Sequence, residues 1–368
     1  MRCKTIFFFL AVVLLLPLIP AAGAEDEPVK EVGPYIGVLI QDKMYIPLRG
    51  VLEQLGYQVN WDGVVKTAIV KDGSKQITLA VSNENNVTRD APAILKDGQV
   101  YIPLRFAGES MDNQVSWDST SRTATVRRGN TIAYVFAKNR EPIRHYSCTL
   151  NVSGRKIPVN VVEIPLHSAI PDMVVARDAV GNTEELASMA KRSGAVVAIN
   201  GTFFNAYGGE PNPYGNIMRN GMVVNRGSVG TTIGFRADGS TKFGHIEFNT
   251  ITYNLNDYDG WEDIVTGLGA GPRLLTDGII TVNPGGEGFS SPKILEIRAA
   301  RSAIGVKQDG TVVLVTTVAN MDELASVMKQ LNAYNAMNLD GGASSGLWFK
   351  GSYIRKPGRL LSNALIFK

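Results

Sequence analysis

Asn320-Met321-Asp322-Glu323-Leu324-Ala325-Ser326, carried on through Ala333–Met337 to Asn338-Leu339-Asp340-Gly341-Gly342, reads as a capped helix, a buried strand and a polar loop. An asparagine three residues ahead of a glutamate satisfies free backbone donors at a helix start, and the apolar run that follows suits a strand in a core. The same order occurs upstream in Asn182-Thr183-Glu184-Glu185-Leu186-Ala187-Ser188, then Ala195–Ile199 and Asn200-Gly201-Thr202-Phe203-Phe204. Leu186 to Asn200 and Leu324 to Asn338 each span 14 positions. The pattern predicts two copies of one helix, strand and loop unit, with Asn200 and Asn338 leaving strand ends in equivalent places, where sheet proteins commonly assemble ligand sites. Placement of these asparagines on opposite faces of the domain would end that reading.

A second internal echo lies toward the start of the chain. Tyr45-Ile46-Pro47-Leu48-Arg49 returns as Tyr101-Ile102-Pro103-Leu104-Arg105. The register continues through Glu53 and Glu109, Val59 and Val115, Trp61-Asp62 and Trp117-Asp118, and Thr67-Ala68 and Thr123-Ala124, always 56 positions apart. A shared spacing of this length predicts duplicated units, each a short strand, a helix near Gly50–Leu55 or Phe106–Met111, and a pair of alternating strands ending near Val70 or Val126. Trp61 and Trp117 are expected as core anchors, because so small a unit needs aromatic bulk for packing; the competing reading makes them platforms for stacking a sugar ring. The expected class is α+β: a small duplicated strand-helix-hairpin domain over 35–128, linker and lead-in strands over 129–157, with turn chemistry at Asn151-Val152-Ser153-Gly154, and a larger mixed-sheet domain flanked by helices over 158–368.

Arg2, Lys4, the apolar run Ile6–Ile19 and the small residues Ala22-Gly23-Ala24 predict a cleaved export signal over 1–24. The run is too short, and too broken by Pro17 and Pro20, for a comfortable membrane span, so no integral membrane domain is expected after cleavage and the product is secreted or surface-associated. The net charge of +3 falls to +1 once Arg2 and Lys4 leave, which argues against nucleic acid as a partner. Of the two cysteines only Cys148 remains, excluding an intramolecular disulfide or a cysteine-rich metal site.

The densest polar segment beside a buried strand is Asn338–Gly346. Asp340 is its carboxylate, Gly341 and Gly342 allow close backbone approach to a ligand, and Ser344 and Ser345 offer hydroxyls. Gly342-Ala343-Ser344-Ser345-Gly346 also fits a serine-hydrolase elbow, but that chemistry needs a histidine base after the serine, and none follows His245. His145, His167 and His245 share no metal-ligand spacing, and His167 and His245 read as structural. Arg301 opens Arg301-Ser302-Ala303-Ile304-Gly305 ahead of an apolar strand and suits a forked hold on phosphate or carboxylate, with Arg298 as a competitor. Arg273, in Gly271-Pro272-Arg273-Leu274-Leu275, is explained as well by its tight loop and strand.

Ala198-Ile199-Asn200-Gly201-Thr202-Phe203-Phe204, Gly271–Leu275, Arg301–Gly305, Asn338–Ser345 and Ser362-Asn363-Ala364-Leu365 together resemble the phosphodiester glycosidase family, over about 158–368. Thr202 and Ala343 stand where glycine is frequent in that family, which bears on loop shape. The 35–128 repeats resemble the copper amine oxidase N-terminal-like domain, a stalk or surface module. With no histidine in those repeats, no copper is expected. The resemblance implies hydrolysis of a sugar C1 to phosphate bond in a cell-envelope or exopolysaccharide glycan. It implies Asp340, Arg301 and Asn200 as catalytic residues, and Gly201, Thr202, Arg273, Asn338, Gly341, Gly342, Ser344 and Ser345 as substrate contacts. Phosphate leaves as a stable anion, so anion clamps are expected to matter more than a paired acid and base; Asp340 serves as nucleophile or general base, Asn200 holds a sugar hydroxyl, and Glu210 is the weak candidate for a second carboxylate. No cofactor is called for, with a divalent cation such as calcium left open. The competing functions are an envelope polysaccharide-binding protein without catalysis and a scaffold of wall or spore assembly.

Overall fold

Period-two burial organises the first domain: along Thr67–Asp72, Ala68 and Val70 are buried while Lys71 is exposed. In the computed structural model, residues 29–83, 92–119, 121–138, 141–228, 230–246, 248 and 252–368 are described. The expected signal at 1–24 lies outside them. One ten-stranded sheet runs in the order Gln58–Asp62, Thr67–Asp72, Lys75–Asn83, Ala93–Lys96, Gln99–Pro103, Lys43–Pro47, Lys30–Ile40, Thr131–Ala137, Thr123–Arg128, Gln114–Asp118. At its centre Ile46 pairs with Ile102, flanked by Tyr45 with Pro103 and Pro47 with Tyr101. Parallel pairings join Lys30–Ile40 to Thr131–Ala137 and Val81–Asn83 to Ala93–Leu95. Helices Leu48–Gln54 and Leu104–Glu109 bury Leu48, Val51 and Leu52, and Leu104 and Ala107, in one shared core.

The two tryptophans correct the expectation of core anchors. Trp61 and Trp117 are 37% and 38% exposed, and the core is filled instead by Val59, Ala68, Val70, Ala124 and Val126. Each indole stands near the end of an outermost strand, where the sheet has a neighbour on one side alone.

Three antiparallel sheets build the second domain. The seven-stranded one orders Arg144–Val152, Arg155–Ile164, Val312–Ala319, Ala299–Val306, Asn335–Asn338, Arg273–Thr276, Ile279–Ile280. A five-stranded sheet orders Pro171–Val175, Asn363–Phe367, Val197–Asn200, Leu347–Phe349, Ser352–Arg355, and another is centred on Ile264–Gly269. All three turn apolar faces to one core that includes Ile199, Ile233, Leu268, Ile304, Met337 and Leu365. Helix Met321–Gln330 covers the outer face of the seven-stranded sheet through Leu324, Ala325 and Met328, and helix Leu186–Arg192 covers the sheet holding Val197–Asn200 through Leu186, Met189 and Ala190. Residues 131–137 belong to the first sheet and 144–152 to the second domain, so the stretch 129–157 is divided between them. His167 stacks on Phe136 across this junction, ring centroids 3.7 Å apart.

The α+β expectation overstates the helices: the described residues are 48% strand and 14% helix. The Asn320 capping box forms, with Glu323 N–H donating to Asn320 Oδ1 at 2.8 Å and Asn320 N–H to Glu323 Oε2 at 3.0 Å. Its upstream counterpart does not. Glu184 bridges Leu361 as a β-pair, Asn182 Nδ2 donates to the Ala179 carbonyl, and the helix starts only at Leu186 with no side-chain cap. Competition from Leu361, a distant part of the same chain, for the backbone of Glu184 shortens that helix.

Candidate active site

Strands Val197–Asn200 and Asn335–Asn338 place the site. In each, alternate residues face the shared core, Val197 and Ile199 in one and Met337 in the other, while Ala198 and Ala336 face the covering helices. The loops that leave them meet. Asn200 Nδ2 donates to the Asp340 carbonyl at 2.7 Å, and Asp340 N–H donates to the Gly201 carbonyl at 3.1 Å. Asn200 Oδ1 accepts from Ser302 Oγ at 2.6 Å and from Gly346 N–H at 2.9 Å. The two strand ends therefore lie on one side of the domain and fix each other.

Asp340 sits in the wall of a cavity of about 600 Å³. Its carboxylate accepts from Gly341 N–H at 2.8 Å and from the Ser344 hydroxyl. Desolvation pushes its pKa up from 3.8 to about 6, against the opposing pull of those two donors and of Arg359. It is the one carboxylate among the described residues lining this cavity. Three cations line it with Asp340: Arg301, Lys293 and Arg359. Phe203, Phe289, Tyr207 and Tyr214 supply aromatic walls. Tyr207 is 82% exposed and accepts from Arg359 Nη2 at 2.9 Å, so tyrosine and arginine form one rim.

Arg301 is buried, and two of its nitrogens are engaged by the fold. Nε donates to the Ala319 carbonyl at 3.1 Å, and Nη2 to the Lys293 and Ile297 carbonyls, both at 2.7 Å. Nη1 faces Gly341, 3.5 Å from where a Cβ on that residue would stand. Burial alone lowers its pKa, with no carboxylate contributing. The forked hold expected of Arg301 is thus corrected to a single free edge, with the guanidinium fixed by three carbonyls.

Asp340, Arg301, Gly341, Gly342 and Ser344 come together at the cavity; the remaining expected contacts do not line it. Asn200 is 1% exposed, its Oδ1 accepts two bonds and its Nδ2 donates one, and it does not line the cavity, so in this structure it positions the Asp340 loop. Gly201 lies so close to Asn363 Oδ1 that a Cβ would stand 1.8 Å away, and Thr202 N–H donates to the same oxygen. Asn338 is buried and donates to the Gly271 carbonyl at 2.8 Å. Ser345 is buried with no partner for its hydroxyl. Arg273 donates to the Leu275 carbonyl and to Asn335 Oδ1, both at 2.6 Å, and lies over the Phe243 ring. Arg298 pairs with Glu323 at 2.6 Å, and Glu210 is exposed beside Asn212, outside the cavity. Among the described residues no group of three or more His, Cys, Asp or Glu side chains is gathered as a metal would need.

Lys293, Arg359, Tyr207, Tyr214 and Phe289 escaped the reading of the sequence. Arg359 and Lys293 lie in segments with no motif, and a cation on an exposed segment is ordinarily a solvated charge. Their convergence depends on distant segments meeting over Asp340.

Residues 193–368 match the family model described as phosphodiester glycosidase, and 24–126 and 81–162 match that of the copper amine oxidase N-terminal domain. Among curated proteins the chain is similar to the N-acetylglucosamine-1-phosphodiester alpha-N-acetylglucosaminidases of Mus musculus, 26% identical over 182 residues, and Bos taurus, 27% identical over 185 residues. The aligned regions cover 45% and 46% of this chain, and the chain spans about a third of each relative, 34%. Its fold is similar to that of a hypothetical protein from Synechocystis, with a TM-score of 0.50 and 18% identity over 90% of this chain and 95% of the other.

Proposed function

Taking as premise that the second domain belongs to the phosphodiester glycosidase family, we propose that it hydrolyses the bond between a sugar C1 and the oxygen of a phosphodiester, releasing free sugar and a phosphomonoester. The curated relatives are named for N-acetylglucosamine-1-phosphodiester, and a GlcNAc-like pyranose is the first substrate to offer. The observation that carries this reading is the composition of one cavity: Asp340 as its carboxylate, with Arg301, Lys293 and Arg359 beside it and aromatic walls around it.

The division of labour follows from charge. Arg301 Nη1, Lys293 and Arg359 hold the phosphodiester, and Gly342, which has a positive φ of 60°, leaves its backbone open to a close approach. Phe203, Phe289 and Tyr214 receive the less polar faces of the sugar. Asp340, ionised above about pH 6, attacks C1 or takes a proton from the water that does; the C1–O bond breaks and its electron pair leaves on the phosphate, already stable as an anion. In the direct route water then hydrolyses the glycosyl ester on Asp340, releasing the sugar and restoring the carboxylate; in the water route the proton passes to Asp340. The three cations stabilise the charge that grows on the departing oxygen, an effect that weighs most in a site shielded from solvent.

The export signal expected at 1–24 and the surface-module resemblance of the first domain support an envelope or exopolysaccharide glycan as the natural substrate and a secreted or surface location. No described helix is long and apolar enough to cross a membrane. The test is incubation with a GlcNAc-1-phosphodiester and with a neutral GlcNAc glycoside bearing a similar leaving alcohol. Free sugar and phosphomonoester from the first, at more than about 10²-fold the rate on the second, are expected. Equal rates on both would remove the anion clamp from the mechanism.

A further inference from the structure

Two cavities in the first domain, of about 830 and 650 Å³, are built from matching residues. The larger contains Arg49, Glu53, Trp61 and Tyr101; the smaller contains Arg105, Glu109, Trp117 and Tyr45. Every member of the first set has its like 56 positions away in the second. The pairing of Ile46 with Ile102 at the sheet centre puts the two grooves on either side of one local two-fold relation. In each groove an indole is more than a third exposed, and an arginine and a glutamate one helical turn apart stand at 3.4 Å and 3.7 Å with both side chains largely in solvent.

From this arrangement we infer that the first domain carries a pair of equivalent polysaccharide-binding grooves. A pyranose ring has a flat face of C–H groups and a rim of hydroxyls. An exposed indole receives the face without displacing well-bound water, and an exposed guanidinium and carboxylate side by side supply donors and acceptors for the rim. The Arg–Glu pair common to both grooves cancels, as do Asp42 and Lys43 in the smaller one, so although Lys138 and Lys368 also line the larger groove, the shared recognition element carries no net charge of the kind a nucleic acid requires. Two tryptophans outside the core also need a reason, since a domain of this size gains stability by burying them. The ligand is therefore a polymer of pyranose units long enough to engage both grooves, where linkage of two weak sites multiplies affinity.

The larger groove is closed on one side by Ser168, Ile170 and Lys368 of the second domain. These lie toward the Pro171–Phe367 end of a strand pair whose other end, Val175 with Asn363, approaches Gly201 and the catalytic loops. Polymer held in the groove thus leaves the catalytic cavity open.

The test is retention of the full chain on three insoluble polysaccharides, cellulose, chitin and peptidoglycan, with bound and free protein measured. We expect retention on at least one. Trp61→Ala and Trp117→Ala each weaken it about tenfold, and the double variant about 10²-fold or more. Trp117→Tyr weakens it less than Trp117→Ala, and all variants keep the thermal midpoint of the parent. Absence of retention on all three, or equal retention of the double variant, would overturn the proposal, as would binding lost only together with the fold. The readout involves no turnover, so failure of the catalytic reading leaves it intact.

Discussion

The loops that follow Asn200 and Asn338 start from like positions and do unlike work. The loop after Asn338 carries Asp340, Gly341, Gly342 and Ser344, a charge and a backbone open to close approach. The loop after Asn200 brings Phe203, Phe204 and Tyr207, apolar wall and rim. Even the asparagines differ: Asn200 ties its strand end to the opposite loop, whereas Asn338 ties its own to Gly271. Two strand ends that meet can carry unlike loops; the chemistry is set by what each loop adds.

The largest effect that sharpens this contrast is on the charged loop. Asp340→Asn should lower turnover of a sugar-1-phosphodiester by at least about 10³-fold. The same substitution should raise stability at neutral pH. Folding raises the Asp340 pKa from 3.8 to about 6, so the folded chain binds that proton more tightly than the unfolded one. The resulting penalty is absent below about pH 4, grows between about pH 4 and 6, and is complete above. Chemical denaturation at about pH 7 should therefore show a gain for Asp340→Asn of up to about 3 kcal/mol that vanishes near pH 4. A loss at both pH values would mean that the carboxylate is held by favourable bonds, and the site would not be strained by burial.

Next comes the positioning side of the comparison. Asn200→Ala leaves Ser302 Oγ, Gly346 N–H and the Asp340 carbonyl without their partner, at a cost of about 2–4 kcal/mol by thermal or denaturant unfolding. It should lower kcat about 10- to 100-fold with KM changed less, because Asp340 is misplaced while the cations remain. A rise in KM alone would return Asn200 to the role of sugar contact.

A smaller effect is expected at the rim. Arg359→Ala should raise KM for the phosphodiester about three- to tenfold, with kcat and stability little changed, the latter within about 0.5 kcal/mol. The effect should shrink in high salt, since Arg359 acts near the surface. A KM change of the same size on a neutral glycoside would assign Arg359 to the sugar.

Legibility in the sequence followed the range of the interactions concerned. Asn320 and Glu323 are three residues apart, and their capping box forms as the sequence predicts. Asn182 offers the same local signal, but the pairing of Glu184 with Leu361, far away in the chain, removes the cap. The carboxylate and glycines of the site stand in one motif and could be named from it. Arg359, Lys293 and Tyr207 could not, because nothing local separates them from ordinary surface residues. Asn200 is conspicuous by its position, yet it is buried outside the cavity, and a buried amide that ties two loops together looks, in sequence, like one waiting for a ligand. The tryptophans show the same gap between composition and place, since bulk that suits a core serves a groove when its strand ends the sheet.

The most direct test titrates the Asp340→Asn chain with a stoichiometric amount of a GlcNAc-1-phosphodiester and follows both heat of binding and product. The division between anion-holding cations and one cleaving carboxylate predicts that the diester binds and stays intact. Cleavage at the parent rate, or failure to bind in a chain that remains folded, would contradict it.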